Sequence, residues 1–310
     1  MFHGIEHKVN KSDSLDSARA VAALCDADVT DIRGGPAHIR ALAAELVTAT
    51  DLATAQGASD RGLCFQFGAQ QIDDALNGGL PVAALHEVQA ADAGPGGGTY
   101  ANASAFVLLM ALRAAAASEE SETPEAPKTK SPILWIGERQ QGKRHGWLYP
   151  PGLPEIGIDP ARILYANAPD MPTALRVAAD GVRSAALSAI ILSASGARPK
   201  GLDLTATRRL SLFARESGVP VMLLRDQPSG MASSAWSRWE VAPAPSRSLP
   251  ANAPGQPVFD IKLTRHRGGK EGASALLEWN RETQKFEGHT RAVPAISVFG
   301  KDIEATRKRA

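Results

Sequence analysis

A glycine-rich loop between an apolar strand and an apolar helix is the part of this sequence best suited to chemistry. The strand is predicted within Leu80–Val88, the loop reads Ala93-Gly-Pro-Gly-Gly-Gly-Thr-Tyr100, and the helix begins near Ala101. This layout cradles nucleotide phosphates, because the loop turns its N–H groups inward and the helix N-terminus carries partial positive charge. The sequence therefore predicts the architecture of a phosphate-binding loop.

The loop lacks the residues that a hydrolysing site needs. The motif G-x-x-x-x-G-K-[ST] supplies a Lys for the β- and γ-phosphates and a hydroxyl for Mg²⁺. Here there is no Lys between Leu80 and Pro127. The residues that could still hold a nucleotide through main-chain N–H groups are Gly94, Gly96, Gly97, Gly98 and Thr99. A remnant loop that only links strand to helix is the favoured interpretation, so we expect no cofactor, with ATP and Mg²⁺ doubtful.

Length and composition indicate one large domain with extensions. The chain has 310 residues, 44% of them hydrophobic, and a formal net charge of +1, which excludes a polycation. Two cysteines, Cys25 and Cys64, form neither a disulfide framework nor a paired metal spacing, and they fit a reducing compartment. With no signal-like leader and no apolar run of about eighteen residues, we expect a cytoplasmic protein without a membrane span.

The order of patterns predicts the fold class and the domains. Short apolar runs alternate with amphipathic helical runs as far as about Leu224, which favours a parallel sheet covered on both faces. From Trp236 onwards, strand-like segments follow one another without helices, which indicates an antiparallel extension. We therefore predict an α/β fold with a mostly parallel twisted sheet. The expected segments are a mobile leader 1–34, a helical arm 35–55, a core 63–285 and a flexible basic tail 286–310.

The charge is concentrated at the C-terminal end. Residues 261–310 contain eleven Lys and Arg residues and only six acidic residues. Such an end suits contact with nucleic acid or an acidic partner, although a solvated tail that aids solubility is an equally good interpretation.

Several stretches, spread over about residues 63–285, resemble a known family. The order of elements resembles the RecA-like ATPase core. The amino-acid sequence of these stretches resembles that of the ImuA family, whose members are RecA-like accessory proteins of bacterial damage-induced mutagenesis. The stretches that carry this resemblance are Phe67–Pro81, Leu85–Val88, Leu148–Leu153, Gly157–Arg162, Thr207–Leu210 and Leu263–Gly269.

The resemblance assigns roles to two strand ends. The acidic position that organises Mg²⁺ in RecA-like proteins corresponds here to Ser193, whose neutral hydroxyl binds Mg²⁺ less well than a carboxylate. Glu138 stands where RecA-like enzymes carry the carboxylate that activates water. With both the Lys and the acidic residue lost, we expect no hydrolysis and interpret Glu138 as a surface residue at a strand end.

Basic residues are the candidates for contact with DNA or a protein partner. In RecA-like filaments, residues near Arg265 reach a neighbouring subunit's nucleotide, but here a charged hairpin turn is an equal alternative. Arginine side chains can bind phosphates in a bidentate manner or cover apolar surface with their stems. The full set is Arg208, Arg209, Arg265, Arg267, Lys270, Arg307, Lys308 and Arg309.

The resemblance implies a non-catalytic adaptor in damage-induced translesion synthesis. Family members work with ImuB, a catalytically inactive relative of Y-family polymerases, and with an error-prone C-family polymerase, under the SOS response. DNA and RecA are further candidate partners. No membrane contact is expected, and the protein would be located at the nucleoid. Two alternatives remain: a weak DNA-dependent ATPase, and an SOS inhibitor of cell division.

Overall fold

The structure is a computed structural model. It describes residues 62–92, 99–121, 131–247, 249–253, 255–268 and 271–290. The predicted leader, helical arm and most of the basic tail lie outside the described residues. So do the glycines of the loop, residues 94–98.

Five α-helices and eleven β-strands occur in this part of the chain. The helices are α1 (Gln70–Ala75), α2 (Thr99–Ser121), α3 (Arg139–His145), α4 (Met171–Ser184) and α5 (Leu204–Ser217). The strands are β1 (Cys64–Phe65), β2 (Leu80–Pro81), β3 (Leu85–Ala90), β4 (Ile133–Glu138), β5 (Ile163–Ala168), β6 (Ala189–Ala194), β7 (Val221–Arg225), β8 (Ser237–Ala244), β9 (Val258–His266), β10 (Ser274–Asn280) and β11 (Lys285–Gly288).

Nine strands form one mixed sheet, in the order β11-β10-β9-β8-β3-β7-β6-β4-β5. The six strands from β8 to β5 run parallel to one another, and β9, β10 and β11 add antiparallel pairs. All residues of β6 and β7 are buried, as expected of strands covered on both faces, whereas β9 alternates between buried and more exposed residues. The predicted fold class is confirmed.

The sheet separates two apolar layers. Helix α2 covers one face, where Phe106 packs among Phe67, Trp239, Phe259 and Phe286. Helices α4 and α5 cover the other face over Leu85, Ile136 and Leu192. Because successive strand residues point to opposite faces, each buried strand contributes to both layers.

Helix α2 is long and apolar enough to cross a membrane by length and composition alone. More than half of its apolar window is buried inside the fold, against the sheet. It is the central core helix of this domain.

Local signals fix where the helices on the second face begin and end. The Asp170 carboxylate accepts a hydrogen bond from the Thr173 N–H at the start of α4, and Asp203 does the same with Ala206 at the start of α5, each at 2.8 Å. Side-chain caps of this kind satisfy free N–H groups of the first turn. Helix α5 ends at Gly218, whose φ of 79° suits a left-handed cap.

Several boundaries differ from the prediction. The sequence pattern over Phe65–Leu76 predicts a helix, but only the six-residue α1 forms there, because Phe65 pairs with Leu80 in a small antiparallel sheet. The polar run 118–131 predicts an exposed insertion, but helix α2 continues into it as far as Ser121. Helix α3 has no counterpart in the sequence prediction. Strand β11 reaches Gly288, so the sheet extends three residues beyond the expected end of the core at 285.

Candidate functional site

The carboxyl ends of three parallel strands meet beside the start of α2. Glu138 is the last residue of β4, Ser193 lies near the end of β6, and Asp226 directly follows β7. Strands β4, β6 and β7 are direct neighbours in the sheet. Ligands of open α/β sheets bind at this edge, so this is where a nucleotide site is expected.

The hydroxyl of Tyr100 is hydrogen-bonded to Ser193 Oγ at 2.8 Å. When Gly98 is aligned with the second glycine of the phosphate-loop motif, Thr99 takes the Lys position and Tyr100 takes the Mg²⁺-binding Ser/Thr position. Tyr100 and Ser193 therefore occupy the two positions whose usual residues hold Mg²⁺, and they bind each other. Burial raises the pKa of Tyr100, so the phenol stays neutral at physiological pH.

The Tyr100 ring also stacks on the imidazole of His145, which is the last residue of α3. Their ring centroids are 4.2 Å apart and the planes are tilted by 29°. His145 Nε2 in turn lies 3.2 Å from Asp226 Oδ2. His145 thus connects Tyr100 at the start of α2 to Asp226 at the end of β7.

The Asp226 carboxylate, at the end of β7, is held by several hydrogen-bond donors. Its side chain accepts hydrogen bonds from Ser195 Oγ and from the Gly196 N–H, each at 2.8 Å. Arg144 adds a longer ion pair at 3.7 Å. Sequence reasoning missed Asp226, although a polar residue that directly follows a buried apolar strand was an available signal.

Glu138 is half-buried at the end of β4, not the free surface residue expected from the sequence. Burial raises the pKa of its carboxyl, and the nearby Asp170 and Asp226 charges act in the same direction. The backbone N–H groups of Ser195 and Met171 hydrogen-bond to the carboxyl and partly oppose this rise. Glu138 thus links the segment that follows β6 to the first residue of α4.

These residues do not fit a bound Mg²⁺–nucleotide. Mg²⁺ requires nearly octahedral oxygen ligation and is usually held through carboxylates and phosphates. Here the Ser193 hydroxyl is bound to Tyr100, and the Asp226 carboxylate is bound to Ser195 and Gly196. Nowhere in the described ranges do three or more His, Cys, Asp or Glu side chains form a metal-binding group.

A buried ionic network lies in the middle of the same sheet. The carboxylate of Glu87 on β3 pairs with Arg225 on β7 and with Arg238 on β8, and it accepts a 2.5 Å hydrogen bond from Ser233. Burial, the largest influence, opposes ionisation of Glu87, but the two guanidinium groups together with Ser233 and Gln89 lower its pKa. The network joins three adjacent strands.

His86, the neighbour of Glu87 on β3, points into a separate network. Its Nε2–H donates to the Pro81 carbonyl at 2.9 Å, and its Nδ1 lies 2.8 Å from Ser237 Oγ. Complete burial lowers the pKa of His86 to about 4, so the ring is neutral and Nδ1 accepts from Ser237. Adjacent residues of a strand point to opposite faces, and His86 and Glu87 accordingly do not converge on one ion.

The basic candidates are spread over two elements. Arg208 and Arg209 are both exposed on α5, and neither covers the core in the way that the sequence suggested for one of them. Arg265 donates to the Ser233 carbonyl at 2.6 Å, and the Arg267 guanidinium lies over the Trp236 ring at 5.8 Å from its centroid. Lys270, Arg307, Lys308 and Arg309 lie outside the described residues.

The fold and the site define an α/β protein with a mostly parallel sheet and an antiparallel C-terminal extension. Two curated relatives named Protein ImuA, from two strains of Caulobacter vibrioides (NA1000 / CB15N and ATCC 19089 / CIP 103742 / CB 15), are each 31% identical over 224 residues, 68% of this chain and 81% of theirs. The chain belongs to the ImuA family, so the resemblance noted in the sequence is confirmed.

Two further comparisons complete this result. A solved structure titled "Crystal structure of the RadB recombinase" is similar, with a TM-score of 0.46 and 14% identity over 73% of this chain and all of that chain. No protein-family model matches the sequence.

Proposed function

We propose that this protein is a non-catalytic RecA-like adaptor of damage-induced translesion synthesis, acting in the cytoplasm at the nucleoid. Its family and fold support an accessory role in the damage response. The observation that carries the non-catalytic part is the hydrogen bond between Tyr100 and Ser193, which takes up the position of the Mg²⁺ site. A protein that keeps the fold but lacks a site for Mg²⁺ and nucleotide hydrolysis would act by binding other molecules through its surface.

The partner we propose is ImuB, the inactive relative of Y-family polymerases, which would bring in an error-prone C-family polymerase. Helix α5 offers a surface for such a contact. Leu204 and Leu212 are 51% and 50% exposed, and Arg208 lies between them on the same face because these positions are four residues apart. Arginine is enriched at interface cores, and the two neighbouring leucines would bury apolar area in such a contact.

Copurification of the full chain with ImuB tests this proposal. We expect a stable complex that the double substitution Leu204→Ser/Leu212→Ser weakens at least about ten-fold, since fully burying a leucine side chain is worth about 1.5–3 kcal/mol and each 1.4 kcal/mol changes affinity about ten-fold. Leu249→Ser is the matched control, because Leu249 is equally exposed but lies in a different segment. An intact complex with the double variant would contradict the α5 surface.

The same assay distinguishes the proposed adaptor from the alternative, an SOS inhibitor of cell division. The division ring protein replaces ImuB as bait, and the adaptor proposal expects no complex with it. Binding to the division ring protein without binding to ImuB would replace the adaptor with a cell-division inhibitor. The ATPase alternative requires a nucleotide at the strand ends, which the Tyr100–Ser193 pair disfavours.

A further inference from the structure

A cavity of about 270 Å³ opens between α2 and α3 and is lined by aromatic side chains from several elements. Trp135 of β4 and Tyr165 of β5 line it together with Tyr100 and with Trp147, which follows α3. Trp147 and Tyr165 meet edge to face, with centroids 5.5 Å apart. Pockets for whole small molecules occupy roughly 300–1,000 Å³, so this cavity suits a single planar ring system.

A buried amide faces this cavity without a partner. Gln141 of α3 lines the cavity and is only 3% exposed. Neither its Oε1 nor its Nε2 has a hydrogen-bond partner among the residues that the structure describes. Buried polar atoms are nearly always hydrogen-bonded, since leaving one unpaired costs free energy. The free donor and acceptor of Gln141 therefore indicate a ligand that presents a complementary donor and acceptor.

The rim of the cavity is aromatic, and a basic helix borders it. Trp147 and Tyr149 are 48% and 71% exposed, which is unusual for such large rings in this protein. Helix α3 also carries exposed Arg139, Lys143 and Arg144, none of which lines the cavity itself. Arg144 is paired with the buried Asp226 carboxylate at 3.7 Å, so Arg139 and Lys143 are the cations that this helix can offer to a phosphate beside the cavity.

We propose that this cavity binds a base of single-stranded DNA. The base would lie among the aromatic walls, its hydrogen-bonding edge would pair with the Gln141 amide, and the cationic side chains of α3 would contact the adjoining phosphates. Base edges pair well with side-chain amides, and aromatic rings combined with cations are the usual means of holding single strands. This site does not depend on the proposed ImuB contact, and it lies on a different helix from α5.

Fluorescence anisotropy of the full-length protein tests the proposal with two labelled probes of about twelve nucleotides, within the usual site size. One probe is oligodeoxyadenylate, and the other is an abasic sugar–phosphate strand of the same length and charge. We expect the adenylate strand to bind about ten-fold or more tightly, because each stacked base contributes substantially to affinity. Equal affinity for the two strands would show attraction to phosphate alone and would overturn the proposal.

Two variants locate the site. Tyr149→Ala changes an exposed ring that is not needed for folding, and we expect it to weaken adenylate binding about 5- to 50-fold. Gln141→Leu keeps a similar volume but removes the amide, with an expected loss of about 3- to 10-fold. Gln71→Leu on the exposed face of α1 is the matched control and should bind as the unmodified protein does. Unchanged binding in Tyr149→Ala would overturn the proposal whatever Gln141→Leu does.

Free nucleotide is the other source of a base. In competition with deoxyadenosine monophosphate, we expect millimolar nucleotide to leave most of the labelled strand bound. Displacement at a nucleotide concentration equal to the strand's own Kd would show a free-nucleotide site and would overturn the assignment to single-stranded DNA.

Discussion

The Tyr100 hydroxyl lies 2.8 Å from Ser193 Oγ, at the edge of the sheet where strands β4, β6 and β7 end. Ser193 is buried, so its hydroxyl is sheltered from water and is hydrogen-bonded to Tyr100 instead. The pair joins the beginning of the central helix α2 to strand β6. A structural contact therefore stands where the phosphate-loop motif places metal ligation.

Substitution of Tyr100 by Phe tests whether this contact stabilises the fold. Tyr100→Phe removes only the hydroxyl and leaves Ser193 without that partner. We expect the free energy of unfolding to fall by about 1–2 kcal/mol, the usual cost of a buried unpaired group. Chemical denaturation measures it. Tyr149→Phe, at a mostly exposed ring, is the control and should change nothing; an equal effect of both variants would argue against a buried contact at Ser193.

The ionic network around Glu87 predicts a much larger effect. Glu87→Gln leaves the buried Arg225 guanidinium without its anion, and breaking one side of a buried pair typically costs about 3–5 kcal/mol. Denaturant unfolding of this variant should show a loss of that size or a protein that does not fold. Glu282→Gln, in the exposed turn before β11, is the matched control. A loss below about 1 kcal/mol for Glu87→Gln would contradict the prediction and would mean that these ion pairs stabilise the fold no more than surface ion pairs do.

The pKa of His86 predicts a dependence of stability on pH. The folded state holds the imidazole neutral down to about pH 4, whereas the ordinary pKa is 6.5. Between these values the unfolded chain binds more protons, so the free energy of unfolding falls as the pH is lowered through this window. The His86 contribution is at most about 3 kcal/mol, and it is fully present above the ordinary pKa.

His86→Gln isolates this contribution. The variant should lose less stability than the unmodified protein between pH 6.5 and pH 4, as measured by denaturant unfolding at a series of pH values. The pKa of buried His266 is also lowered by burial and acts in the same direction, so only the difference between the two proteins reports on His86. Parallel pH profiles for the unmodified protein and His86→Gln would contradict the prediction.

The sequence predicted the parts of the fold that depend on local pattern. Strands β6 and β7 are continuous apolar runs, and α5 begins and ends at residues with clear capping signals, so both were recognisable. The contacts of His145 were not, because its partner Asp226 lies 81 positions further along the chain and α3 carries a Gly and three basic residues with little apolar periodicity.

The candidate site followed the same division. Ser193 and Glu138 were located correctly at strand ends, because a polar residue that follows an apolar run can be recognised from the amino-acid sequence alone. The hydrogen bonds of these two side chains could not be predicted, because the partners of Ser193 and Glu138 lie on α2 and in the segments beside β6 and α4, which are distant in the sequence. Whether the glycines of the loop bind a nucleotide stays a prediction.

Nucleotide binding and hydrolysis test the central claim most directly. The full-length protein and Ser193→Ala are incubated with millimolar Mg-ATP and single-stranded DNA, and phosphate release and the thermal midpoint are recorded. The account predicts phosphate release at the level of buffer for both proteins and no rise in midpoint, whereas a ligand at 100-fold its Kd would add about 2.7 kcal/mol of stability. Phosphate release by the unmodified protein that Ser193→Ala abolishes would contradict it.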